Sequence, residues 1–155
     1  MNIQSAIKKG QAILRSKNIK TAELDCQILM SKAINKEKKF LILNCDDKIS
    51  KANLENYNTL IDQRANGKPI AYLTKKKDFW KYEFFVNKDV LIPRPDTEIL
   101  IEKVLKLTKN KNKLNILDIG IGSGCILLSI LKEKKNFYGT GVDISNKSLN
   151  ICKVN

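Results

Sequence analysis

Apolar residues recur at helical spacing through the first seventy positions and at strand spacing beyond them. Ile3, Ala6, Ile7, Ile13 and Leu14 form an imperfect stripe interrupted by Gly10, which predicts a first helix. Thr21 is placed to cap a second helix, in which Leu24, Ile28, Leu29 and Ala33 keep one face apolar. A short third helix is expected over Lys38 to Leu43. A longer fourth begins at Ser50, carries Leu54, Tyr57, Leu60 and Ile61 on one side, and stops near Gly67 and Pro69. Residues 1–73 therefore read as a small helical bundle.

After Leu73 the period falls to two. Trp80, Tyr82, Phe84 and Val86 alternate with Lys81, Glu83 and Phe85, Asn87 to Asp89 supply a turn, and Val90 to Ile92 supply a returning strand. The expectation is a β-hairpin linker over residues 74–92. Its aromatic side chains are placed either to fill a half-covered core or to stack on bases, as in single-strand binders. The rigid Pro93-Arg94-Pro95 corner then feeds a helix, with Asp96 or Thr97 as cap, Glu98 in the first turn, and Ile101, Val104, Leu105 and Thr108 facing inward. Leu114 to Ile119 and Phe137 to Asp143 read as short strands separated by a helix from Cys125 to Lys134. That order is a βαβ unit with parallel strands. The predicted fold class is α plus α/β, with the βαβ unit lying in residues 93–155.

Composition narrows the chemistry. The chain has 155 residues, 29 Lys plus Arg against 16 Asp plus Glu, a net charge of +13, and no His. Without an imidazole there is no His base, His-oriented nucleophile or His-ligated zinc, and no metal site is expected. Cys26, Cys45, Cys125 and Cys152 are scattered and expected to be reduced thiols. No apolar run is long enough to span a membrane, and the N-terminus has no signal-peptide pattern, so a cytoplasmic location is expected. The basic charge invites a polyanionic partner, RNA or the ribosome. Yet 26 of the 29 cations are Lys, and Lys, Ile and Asn together account for 62 residues, the signature of an AT-rich coding sequence.

The candidate site is the loop Gly120-Ile121-Gly122-Ser123-Gly124 between the first strand and its helix. Glycines there let a backbone approach a ligand closely and aim the N–H groups of the next helix at it. The dinucleotide fingerprint requires Gly or Ala where this chain has Cys125, so the spacing favours a cofactor other than NAD. Asp143, at the end of the next strand, is spaced to accept from two ribose hydroxyls. Asp118, just ahead of the loop, is either an acceptor for a cationic amino group or a structural acid facing the helix. Two carboxylates with no Lys or Arg in the loop suit an amino acid, a ribose and a sulfonium charge better than a polyphosphate. S-adenosylmethionine carries all three.

These residues also carry a family resemblance. LDIGIGSGCILLSI resembles the first cofactor motif of class I methyltransferases. GKPIAYLTKKKDFWKYEFFVNKDVLIPRPDTEILIE is similar to the segment preceding that motif in the release factor glutamine methyltransferases, and TAELDCQILMSKAI to their N-terminal bundle. The resemblance implies a Rossmann-like methyltransferase domain begun at residue 93, and methyl transfer from S-adenosylmethionine to the glutamine amide in the Gly-Gly-Gln motif of peptide-chain release factors. It implies that Gly120, Ile121, Gly122, Ser123 and Gly124 line the methionine and ribose, that Asp143 holds the ribose hydroxyls, and that the corner Arg94 to Glu98 sits beside the catalytic pocket.

The chain departs from that family twice. Lys75 stands where the family usually has Gly, and the Asn-Pro-Pro-Tyr motif that holds the glutamine amide is missing, since no Asn-Pro pair occurs in the sequence. The expectation is an N-terminal fragment, with no catalytic residue in this chain, no activity of its own, and an α/β half that is unstable, swapped or completed by another chain. Some relatives are fused to a transfer-RNA guanine methyltransferase. The alternatives are a non-catalytic basic module that binds RNA or the ribosome, and a nucleic-acid amino-methyltransferase with the same first motif.

Overall fold

The computed structural model describes all 155 residues and divides into two compact units, Met1–Thr74 and Lys75–Asn155. The first contains five helices, α1 (Ile3–Ser16), α2 (Ala22–Ile34), α3 (Lys38–Leu43), α4 (Lys51–Ala65) and α5 (Ile70–Thr74). Side chains terminate two of them: Asn2 accepts from the Ser5 N–H at 2.8 Å and Ser50 from the Asn53 N–H at 3.2 Å, each filling an orphan donor of a first turn. Leu14, Cys26, Leu29, Met30, Tyr57 and Ile61 form the centre of the core. Gly10, read as a weak point in α1, is the place of closest approach: a Cβ there would meet the Tyr57 hydroxyl.

Two expectations for α2 are corrected. Thr21 makes no cap; its hydroxyl donates instead to Asp25 Oδ2 at 2.9 Å. Leu24 is exposed, because the buried stripe runs through Ala22, Asp25, Cys26, Leu29, Met30 and Ala33. A carboxylate sits in that stripe because Arg64 Nε of α4 donates to Asp25 Oδ2 at 2.7 Å.

The second unit begins with an antiparallel hairpin, β1 (Lys76–Phe79) and β2 (Tyr82–Phe85). This differs from the expected pairing, since Val90 to Ile92 do not form a strand; β2 pairs backwards with the polar segment ahead of it. Lys76, Lys77 and Asp78 hide β1 from any reading of apolar alternation, and its turn, Trp80-Lys81, is made by Trp80 at φ 58° without a glycine. Phe79 and Phe84 pack edge to face, centroids 6.2 Å apart, into a core with Ile101, Cys125, Ile130 and Phe137. The alternating aromatics are therefore largely core.

A 3₁₀ turn (Pro95–Thr97) leads into α6 (Glu98–Leu107). Neither Asp96 nor Thr97 caps α6 with its side chain; the first-turn acid Glu98 accepts from the Trp80 N–H at 2.9 Å and ties the helix to the hairpin. Then follow β3 (Asn115–Ile119), α7 (Cys125–Glu133), β4 (Tyr138–Val142) and α8 (Asn146–Val154). β3 and β4 are parallel, in register from Asn115 against Tyr138 to Ile119 against Val142. α7 lies close on one face because β4 offers glycines there: a Cβ on Gly139 would stand 2.8 Å from Leu127 and Leu131, and one on Gly141 would meet Ile121. The opposite face, with Leu117, Ile119, Tyr138 and Val142, is exposed. The molecule is thus helical in its first part and mixed in its second. No helix is long and apolar enough to cross a membrane.

Candidate functional site

The loop after β3 and the acid after β4 meet at the C-terminal ends of the two parallel strands. Gly120 and Ile121 both donate to the Val142 carbonyl, at 2.8 and 3.0 Å, which folds the loop back over the end of β4. Gly120, Gly122 and Gly124 all have positive φ, at 80°, 56° and 82°. Their surroundings separate their tasks. A Cβ on Gly120 would meet nothing within 4 Å, and one on Gly122 only the Gly120 carbonyl at 3.9 Å, so these two border open space. A Cβ on Gly124 would stand 2.7 Å from Cys152 Sγ and 2.8 Å from Leu128, so this glycine lets α7 and α8 close on the loop.

Asp143 is fixed by backbone donors on both oxygens. Gly122 N–H reaches Oδ2 at 2.9 Å and Ser145 N–H reaches Oδ1 at 2.8 Å. The Ser145 bond first, and the Gly122 bond second, hold its carboxyl below the ordinary aspartate range. A carboxylate has about four lone-pair sites, so two remain to accept from hydroxyls of a ligand.

Asp118 faces the other way. It lies on the α7 side of β3, Oδ2 is buried without a hydrogen-bond partner, and burial raises its pKa while the Leu127 N–H opposes the rise. The acid lies under the first turn of α7, where burial outweighs the Leu127 N–H bond and favours the neutral carboxyl.

The remaining loop positions are turned inward. Ile121 packs on Gly141, and Ser123 is buried with its carbonyl accepting from Asn155 Nδ2 at 2.9 Å, leaving their backbone as what they can present. Arg94, Pro95 and Asp96 are exposed, and no hydrogen bond or ion pair joins them to the loop. Three contributors escaped the sequence reading. Ser145 holds Asp143 and also caps α8, accepting from the Ser148 N–H at 3.2 Å. Asn155 clamps Ser123 and both backbone groups of Phe85. Ile144, beside Asp143, is wholly exposed, an apolar residue at a strand end that alternation alone does not flag.

Comparison with known proteins supplies the deciding observation: residues 5–74 match the family described as PrmC N-terminal domain. The helical unit belongs to that family. Along its whole length the chain is, in addition, a relative of release factor glutamine methyltransferases. It is 38% identical to the one from Leptospira interrogans, matching 99% of this chain and 54% of that protein, and 39% identical to the one from Clostridium acetobutylicum, matching 100% and 54%. It is also 35% identical to a bifunctional methyltransferase of Rickettsia typhi, matching 99% of this chain and 33% of that protein. The chain spans about half the length of the release factor glutamine methyltransferases it matches. The PrmC N-terminal domain ends at the junction of the two units, so the glycine loop lies outside it, in the part matched by the full-length relatives.

Proposed function

We propose that this chain is the recognition domain and the cofactor-binding start of an S-adenosylmethionine-dependent methyltransferase that modifies the glutamine amide of the Gly-Gly-Gln motif in peptide-chain release factors in the cytoplasm. The observation that carries the cofactor assignment is the joining of Gly122 to Asp143 at the strand ends, beside open space at Gly120. Ligands of open α/β sheets sit at that edge. The substrate assignment rests on the names of the relatives.

S-adenosylmethionine, when bound, supplies a methyl group already activated by its sulfonium charge. On this reading the residues of the chain position it. Gly120 and Gly122 give the backbone close access, the loop from Ile121 to Gly124 contributes main-chain groups, Asp143 accepts from ribose hydroxyls, and Ile144 offers an apolar surface for a flat ring. No step calls for a His. The exposed apolar face of β3 and β4 is where we place the rest of a Rossmann-like sheet domain, because parallel sheets are ordinarily covered on both faces. The catalytic Asn-Pro-Pro-Tyr segment belongs to that remainder, and this chain alone is inactive.

The test is transfer of labelled methyl by the longer enzyme carrying this segment. Label on the release-factor glutamine, reduced by Gly122→Val, supports the reading; label on RNA alone favours a nucleic-acid amino-methyltransferase instead.

A further inference from the structure

The second unit holds a cleft of about 380 Å³ that the methyltransferase reading does not use. Lys109 and Lys111 come to it from the turn before β3, and Lys132, Lys134 and Lys135 from the end of α7 and the turn before β4. Both turns enter the N-terminal ends of parallel strands, so the cleft lies at the sheet edge opposite the glycine loop and Asp143. None of these five lysines is paired with a carboxylate. The one acid in the lining, Glu133, is turned away to the hairpin: Lys81 lies 2.8 Å from Oε1, the Trp80 indole N–H donates to it at 3.0 Å and the Tyr82 hydroxyl at 3.3 Å.

Lys134 gives the cleft its shape. Its ammonium donates to the Thr108 carbonyl at 3.3 Å and the Lys109 carbonyl at 3.5 Å, closing the C-terminal end of α6, and so fixes one charge in place. The other four lysines are exposed, and Lys132 among them lies over the Tyr82 ring, 4.5 Å from its centroid. Codon drift explains how many lysines the chain has. It does not explain five around one cleft, none with a carboxylate partner and the only acid withdrawn.

We propose that this cleft binds the phosphodiester backbone of a polynucleotide through its lysines. Lysines are point charges that neutralise phosphates without reading sequence, whereas an acidic peptide would be better held by the forked guanidinium of Arg, which the cleft lacks. Binding is therefore sequence-independent and strongly salt-dependent.

The test uses the 155-residue chain and fluorescein-labelled oligouridine and oligothymidine of about 12 nucleotides, within the length that one single-strand site covers. For roughly four phosphates neutralised, affinity falls about 50-fold between about 50 and about 200 mM salt. Lys109→Gln, Lys111→Gln and Lys132→Gln together, which spare the structural Lys134, weaken binding roughly tenfold or more at the lower salt. The same number of changes at Lys8, Lys9 and Lys51 of the helical unit leaves affinity within about twofold, the effect of net charge alone. Circular dichroism melts check that both triple variants remain folded. Binding of RNA, DNA or both with this pattern supports the site. Loss shared equally by the two triple variants, no binding of either oligonucleotide, or equally tight binding of polyglutamate overturns it.

Discussion

The Gly122 N–H donates to Oδ2 of Asp143 at 2.9 Å and thereby joins the turn after β3 to the acid after β4. The other acid near the loop, Asp118, lies beneath it with Oδ2 unpartnered. The two carboxyls are thus pushed in opposite directions, Asp143 downward by two backbone donors and Asp118 upward by burial.

Their pH behaviour follows with opposite sign. Asp143 has its pKa depressed by folding, so its contribution to stability is present above the ordinary aspartate range and is lost as pH falls through the depressed value. Asp118 has its pKa raised, so its cost is fully present above that raised value and is relieved as pH falls through it. Carbon-detected NMR titration is expected to give a midpoint below the ordinary range for Asp143 and above it for Asp118. Asp118→Asn is expected to raise the melting temperature at neutral pH, and the gain should vanish below the ordinary aspartate range. Equal midpoints for the two acids would contradict the assigned environments.

Lys75 occupies a left-handed conformation, φ 62°, at the entry to the hairpin. A side chain there costs roughly 1 kcal/mol that glycine avoids. Lys75→Gly is expected to stabilise the second unit by up to about 1 kcal/mol in urea unfolding, a smaller gain reflecting the extra freedom of glycine in the unfolded chain.

Arg64→Ala leaves Asp25, 4% exposed, with only the Thr21 hydroxyl for company. Breaking a buried pair on one side costs about 3 to 5 kcal/mol. The first unit should lose roughly that much in urea unfolding, and Asp25→Asn added to Arg64→Ala should restore part of it by removing the unpaired charge.

Gly10→Ala sets two effects against each other. Helix propensity improves by about 1 kcal/mol, but the new methyl meets the Tyr57 hydroxyl and lies 3.1 Å from Ile61 Cδ1, and overpacking costs typically about 1 to 3 kcal/mol. The expected net is destabilisation. Tyr57→Phe in the same chain should relieve it, since the clash is with the hydroxyl; a stabilised Gly10→Ala single variant would show that the helices have room to separate.

What the sequence made legible were the elements built on periodicity and the loop built on glycine. Helices α1, α3 and α4, the parallel strands and the turn from Gly120 to Gly124 announce themselves through residue types that have few other uses. The misreadings share a physical cause, polar residues placed where long-range partners satisfy them. Asp25 hid the buried stripe of α2 because Arg64 lies 39 positions away, and the lysines of β1 hid a strand whose pairing is supplied by β2. Glu98 replaced the expected caps of α6 through a bond to Trp80. In the candidate site, Asp143 was legible from its spacing, whereas the roles of Ser145 and Asn155 depend on loop closure that no local pattern encodes.

The most direct test of the assignment is an NMR titration of the 155-residue chain with S-adenosylhomocysteine, the demethylated form of the proposed cofactor. The expected result is amide shift changes concentrated at Gly120, Gly122, Asp143 and Ile144, absent in Gly122→Val and weakened in Asp143→Ala. Changes scattered away from the strand ends, or unaltered by both substitutions, would contradict it.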